Sequence, residues 1–209
     1  DQVFVTGDWV KKPMLAVLGN NHRAQVPLRR LNTLILSQLQ SHVMDLPGEP
    51  DRESWFVLDE FRELGEIQKF NDFLITCRGK RAPVILGFQD IGGLQDLYGD
   101  YCAKEILACT NNVAIFHINN SNPQTQEWAS RVLGEREIRE TSESASTGYS
   151  GNQTQRSYSR NRNRLRELLW MPSQFSADLK MLSNGGILRG LYSISGEWSR
   201  PEDLREDTL

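Results

Sequence analysis

Four apolar residues followed at once by two acids, Trp55-Phe56-Val57-Leu58-Asp59-Glu60, constrain this chain more than any other stretch. So short and apolar a run reads as a strand buried on both faces of a parallel sheet. The acids then fall at its carboxyl end, the edge where open α/β sheets bind ligands. Residues 83–90, Pro-Val-Ile-Leu-Gly-Phe-Gln-Asp, form a second such run and close on Gln89 and Asp90. Between the two runs, residues 61–81 carry Phe61, Leu64, Ile67, Phe70, Phe73, Leu74 and Cys77 at helical spacing, one apolar helix face. Strand, helix and strand over this length make a right-handed βαβ unit with parallel strands. Gln89 is therefore expected at the same sheet edge as Asp59 and Glu60.

Asp beside Glu at a strand's carboxyl end is the Walker B arrangement of nucleotide-hydrolysing motors. In that reading Asp59 holds Mg²⁺, directly or through water, and Glu60 orients and deprotonates the attacking water. Gln89 touches the terminal phosphate or the water and moves when the phosphate leaves. The competing reading is a strand ending in two solvated acids, because short motifs match by chance often. The rest of the chain repeats the alternation. Residues 14–18, 112–118 and 187–194 read as strands; residues 28–44 and 123–133 read as helices, the latter with Pro123 in its first turn. Such alternation predicts an α/β domain with a mostly parallel sheet flanked by helices. At 209 residues the chain makes one domain of ordinary size.

The chain resembles the motor domain of type IV secretion coupling proteins, the TraD/TraG-type conjugation ATPases. The resemblance is carried by Trp55-Phe-Val-Leu-Asp-Glu-Phe-Arg-Glu-Leu-Gly65, Ile85-Leu-Gly-Phe-Gln-Asp-Ile-Gly-Gly-Leu94, Leu97-Tyr-Gly99, Ala108-Cys-Thr-Asn-Asn-Val113 and Ala129-Ser-Arg-Val-Leu-Gly134, in order and at the right spacing. Asp8-Trp9-Val10, Leu18-Gly-Asn20 and residues 169–175 extend it towards both ends. It implies a RecA-like P-loop NTPase motor that is hexameric and anchored in the bacterial inner membrane. Such a motor uses ATP and Mg²⁺ to bring single-stranded DNA, relaxase or effector proteins to the secretion channel. It assigns Asp59 and Glu60 as the Walker B acids, Gln89 as the phosphate-sensing glutamine, and Arg78 as the arginine that reaches the neighbouring subunit's phosphates. A finger of that kind needs an always-charged forked donor at an interface. Arg78 reads equally as a cation at a helix C-terminus, with Lys80 and Arg81 beside it.

One absence weighs against the matches. The chain holds no Gly-x-x-x-x-Gly-Lys-Ser/Thr, so the phosphate loop is missing. No apolar run approaches the ~20 residues of a membrane span, and the helical insert domain of the family is not present. Residues 1–209 are therefore expected to be the C-terminal, Walker B part of a RecA-like nucleotide-binding domain, poorly able to bind or hydrolyse ATP alone. Two other classes compete: a DNA translocase motor of the FtsK/HerA kind, and a binding module that keeps the fold without turnover.

Net charge is −3, so the surface as a whole carries no nucleic-acid signal. The charge is uneven, with acids within 135–143 and Arg156, Arg160, Arg162, Arg164 and Arg166 close together. Residues 141–163, rich in Ser, Thr, Gly, Asn and Arg, read as a long mobile loop. It is either a solvated insertion or a contact for DNA or phosphate with Tyr149 and Tyr158 as stacking platforms. Cys77, Cys102 and Cys109 have no metal spacing; Cys77 and Cys109 fall on apolar faces and read as buried thiols, and the odd count fits a reducing compartment. His22, His42 and His117 are scattered and form no catalytic constellation.

Overall fold

The computed structural model describes residues 4–48, 51–150, 153–179, 188–194, 197–198 and 202–204. Where the sequence reads as one domain, the chain divides into two compact units: Asp1–Val113 with Ile194–Gly196, and Ala114–Ser193 with Glu197–Leu209.

The first unit holds α1 (Thr6–Trp9), α2 (Gln25–Met44), β1 (Phe56–Leu58), α3 (Phe70–Thr76), β2 (Val84–Leu86) and α4 (Ile91–Ala108). β1 and β2 pair in parallel, with Phe56 opposite Val84 and Leu58 opposite Leu86, as a βαβ unit requires. Phe56 and Leu58 are buried beside Trp9, Leu39, Val43 and Phe73. The expectation of burial on both faces fails here. Val57 is 64% exposed and Ile85 50% exposed, so the pair alternates inward and outward like a sheet covered on one side. The stripe of α2 is likewise narrower than its leucines suggest. Leu36, Leu39 and Val43 are buried with Asn32 and Gln40, while Leu31 and Leu34 face outward.

Residues 61–81 are not one helix. A 3₁₀ turn covers Phe61–Leu64, α3 follows, and a second 3₁₀ turn covers Cys77–Lys80. The break between the first 3₁₀ turn and α3 lies where the backbone takes positive φ, at Gly65 with φ 78° and Lys69 with φ 56°. Glycine takes such a φ without steric cost, and it stops the first turn from propagating. Phe61, Ile67, Phe70 and Phe73 are nevertheless all buried. The periodic pattern marked what is inside, not a continuous helix. Residues 14–18 form no strand among the described residues.

The second unit opens with β3 (Val113–Ile115) and α5 (Pro123–Leu133), which begins at the expected proline. Then come two long strands, β4 (Glu135–Ser150) and β5 (Gln153–Leu168), the short α6 (Gln174–Ala177), β6 (Leu188–Ile194), β7 (Glu197–Trp198) and β8 (Glu202–Leu204). Strands β3, β6 and β7 are neighbours in that order, and β8 pairs with β6 antiparallel. Ile187, expected to start that strand, lies outside the described residues. Buried Ala129, Leu133, Phe175 and Leu179 form the interior of this unit. The Ser130 hydroxyl ties α5 to the Trp170 carbonyl at 2.7 Å. Residues 141–150 and 153–163 are not irregular: they belong to the antiparallel β4–β5 ribbon, which pairs Glu135 with Leu168 and continues to Ser150 with Gln153.

Candidate active site

The β1–β2 ladder continues one step past the strands. The Gly87 N–H donates to the Leu58 carbonyl at 2.8 Å, and the Phe61 N–H donates to the Gly87 carbonyl at 3.0 Å. A Cβ on residue 87 would stand 2.2 Å from the Asp59 carbonyl oxygen. That oxygen belongs to the backbone and cannot step aside, so only glycine lets the two chains close here. Glu60 and Gln89 consequently leave the ladder side by side. The Gln89 Nε2 donates to both carboxylate oxygens of Glu60, at 3.2 and 3.3 Å. Two residues separated by 29 positions thus form one polar pair at the carboxyl ends of the parallel strands.

Beside the pair lies a cavity of about 130 Å³, whose wall includes Glu60, Phe61, Arg62, Phe88, Gln89 and Asp90. Pockets that enclose a small ligand measure roughly 300–1,000 Å³. The cavity here is wide enough for water or a phosphoryl group and too small to enclose a whole nucleotide. Asp90 caps α4 by accepting from the Gly93 N–H. Its other oxygen meets the Arg62 guanidinium at 3.5 Å. The Arg62 stem crosses Gly93, where a Cβ would come within 2.7 Å of it. Neither Arg62 nor Asp90 was singled out from sequence. Asp before Ile-Gly-Gly-Leu is a helix-start signal that points to Asp90; nothing in the sequence marks Arg62.

The floor of the site is aromatic. Phe61 is fully buried and stacks on Tyr98, with ring centroids 5.5 Å apart and planes 6° from parallel. The Tyr98 hydroxyl accepts from the Ile67 N–H at 3.1 Å and donates to the Gly65 carbonyl at 3.4 Å. Burial pushes the phenol up to about 12, against the smaller lowering by the Ile67 hydrogen bond. Leu97-Tyr-Gly99 thus matters because Tyr98 props Phe61, the residue after Glu60.

The other expected site residues are placed differently. Asp59 is exposed, does not line the cavity, and makes no side-chain hydrogen bond among the described residues. Arg78 is exposed on the 3₁₀ turn Cys77–Lys80. From there the chain passes to Arg81, whose carbonyl accepts from the Ser54 N–H, and to Pro83, whose carbonyl accepts from the Phe56 N–H. That is the amino end of the strands, so Arg78 stands at the opposite edge from Glu60 and Gln89 of its own chain. Among the described residues no three His, Cys, Asp or Glu side chains gather as a metal cage. Mg²⁺ in phosphate chemistry needs no cage, since one or two carboxylates and the phosphate oxygens suffice. The adjoining, exposed Asp59 and Glu60 fit that demand.

Residues 1–194 match the family model of the type IV secretion-system coupling protein DNA-binding domain. The chain belongs to this coupling-protein family. A curated relative, Protein VirD4 of Rhizobium rhizogenes, is 28% identical over 138 residues, 65% of this chain and 19% of the relative. The plasmid coupling protein TrwB in complex with the ATP analogue ADPNP superposes with a TM-score of 0.73 at 21% identity, over 97% of this chain and 42% of TrwB. TrwB in complex with ADP and Mg²⁺ gives 0.72 at 22% identity, over 98% of this chain and 43% of TrwB. These likenesses show the fold: the α/β, RecA-like arrangement of TrwB. The chain spans about a fifth of the length of the curated relative and less than half of the solved one.

Proposed function

We propose that this chain is the Walker B part of an ATP-driven coupling motor that delivers DNA or protein substrates to a type IV secretion channel. The observation that carries the proposal is the Glu60–Gln89 pair at the carboxyl ends of two parallel strands in a coupling-family fold. The solved relative TrwB binds ADPNP, and ADP with Mg²⁺, which supports ATP and Mg²⁺ as the ligands here. When bound, Mg²⁺·ATP supplies an electrophilic γ-phosphoryl group. Glu60 would accept a proton from the attacking water, Gln89 would hold the Glu60 carboxylate and orient that water, and Asp59 would hold Mg²⁺ directly or through water. Arg78, exposed at the far edge, suits a phosphate contact on the neighbouring subunit of a homo-hexamer. The phosphate loop would come from outside residues 1–209.

No helix among the described residues is long and apolar enough to cross a membrane. The inner-membrane attachment of the intact motor belongs to other parts of the protein in this proposal. The test is substrate transfer in cells whose intact protein carries Glu60→Gln. Transfer should be abolished with protein abundance unchanged. Undiminished transfer would reject the motor role of this site.

A further inference from the structure

The β4–β5 ribbon has two unlike faces. Directly opposed residues of an antiparallel pair share a face, and alternate residues repeat it. The register therefore places Arg160, Arg162, Arg164 and Arg166 of β5 on one face with Tyr158, against Arg139 and the acids Glu135, Glu137 and Glu143 of β4. The opposite face carries Arg136, Ile138, Glu140 and Ser144 against Ser159, Asn161, Asn163, Leu165 and Glu167. Glu143 pairs with Arg160 at 3.0 Å and Glu137 with Arg164 at 3.3 Å, so two of the arginines are neutralised on the ribbon itself. Arg139, Arg162 and Arg166 are exposed and have no carboxylate partner among the described residues. Tyr158 is 77% exposed at the end of the arginine row.

We infer that this arginine face is a contact surface for single-stranded nucleic acid. Alternate residues on a strand stand about 6.7 Å apart. That is two phosphate steps of a stacked strand at roughly 3.4 Å each, so a straight row of guanidinia matches a linear polyanion. Arginine adds planar, forked donors suited to phosphate oxygens. Tyr158 offers an open ring on which an unpaired base can stack, which a paired base cannot use. A lipid surface fits less well. The aliphatic side chains Ile138 and Leu165 lie on the other face, and the basic face offers only the Tyr158 ring and the half-buried Leu168 at its base to insert among acyl chains. The inference deepens the coupling-motor reading, because it names the surface that would hold the nucleic-acid cargo, and it rests on that reading for the class of polymer.

The test is fluorescence anisotropy of the full 209-residue chain with a labelled oligothymidylate of about 30 nucleotides, titrated at several salt concentrations. The unsubstituted chain should bind. The triple variant Arg139→Ala/Arg162→Ala/Arg166→Ala should bind at least about tenfold more weakly, and its log–log salt slope should be shallower by about two. Tyr158→Ala should weaken single-strand binding about fivefold or more and leave duplex binding of the same length unchanged. Asn161→Ala/Asn163→Ala, on the other face, should change nothing. The inference is overturned if the chain does not bind, if the triple variant binds as before, or if the opposite-face variant loses as much. Preference for anionic vesicles over the oligonucleotide would overturn it too. None of these outcomes touches the Glu60 transfer test, so the two readings fail separately.

Discussion

The strand-edge site and the β4–β5 ribbon use β-structure in opposite ways. At the site, three residues per strand suffice, because Phe56 and Leu58 are anchored in a core and fix where Glu60 and Gln89 emerge. The ribbon runs sixteen residues per strand. Among its described side chains only Ile138, Glu167 and Leu168 near the base are half-buried, and the rest is held by the ladder and by surface ion pairs, each worth at most about 1 kcal/mol. Precision of a few tenths of an ångström requires a packed foundation. A surface that follows a flexible polymer does not, and it can spend its side chains on charge.

The sharpest way to break the comparison is Glu60→Gln in the intact protein. Removing the base while keeping shape and the Gln89 contact should lower ATP turnover by about two to four orders of magnitude, with nucleotide binding unchanged. Steady-state hydrolysis and equilibrium binding of an ATP analogue check the two halves of this statement. Turnover within a factor of a few of the unsubstituted protein would mean that the Glu60–Gln89 pair takes no part in hydrolysis.

Next in size is the foundation itself. Phe61→Ala empties a fully buried position beneath Glu60 and should destabilise the first unit by about 3–5 kcal/mol. Urea unfolding followed through tryptophan fluorescence reads the loss. A cost below about 1 kcal/mol would mean that the aromatic floor does not set the site.

A smaller effect concerns Tyr98. Its phenol titrates near 10 when unfolded and is raised to about 12 when folded. The folded state therefore keeps a proton that the unfolded state releases. The stability contributed by the neutral phenol is complete below pH 10 and is lost as pH rises from about 10 to about 12. Tyr98→Phe should flatten that part of the stability profile, and it should cost about 1–3 kcal/mol at neutral pH by leaving the Ile67 N–H without its acceptor. A profile identical to that of the unsubstituted chain above pH 10 would contradict this.

The smallest effect belongs to the ribbon. Asn163→Ala, on an exposed position without packing, should change stability by no more than about 0.5 kcal/mol. Residues 141–163 should also be cut first by a nonspecific protease while the packed parts of the chain persist. A large loss of stability, or resistance of that segment, would show that the ribbon leans on something and would erase the contrast.

The contrast also decides what was legible in the sequence. β1, β2 and α5 announce themselves because apolar runs and a proline report burial and helix entry directly. Glu60 and Gln89 could be paired in advance by counting to the ends of two strands. The helix over 61–81 was overread, because its periodic apolar residues are buried but Gly65 and Lys69 interrupt the backbone between them. The ribbon was invisible as a strand pair. Ser, Asn, Gly and Arg are not residues that favour sheets, and its period of two alternates arginine with small polar side chains rather than apolar with polar. Arg62 escaped notice because its role depends on a helix cap formed 28 residues later, a relation that no local pattern encodes.

The glycine at position 87 has one further consequence. Its amide and carbonyl hold the last two bonds of the ladder, one to Leu58 and one from Phe61, and these bracket Asp59 and Glu60. Glu60 cannot part from Gln89 by strand separation until both bonds open. Deuterium uptake at the Phe61 and Gly87 amides is therefore a built-in clock for the site, readable without substrate, label or turnover.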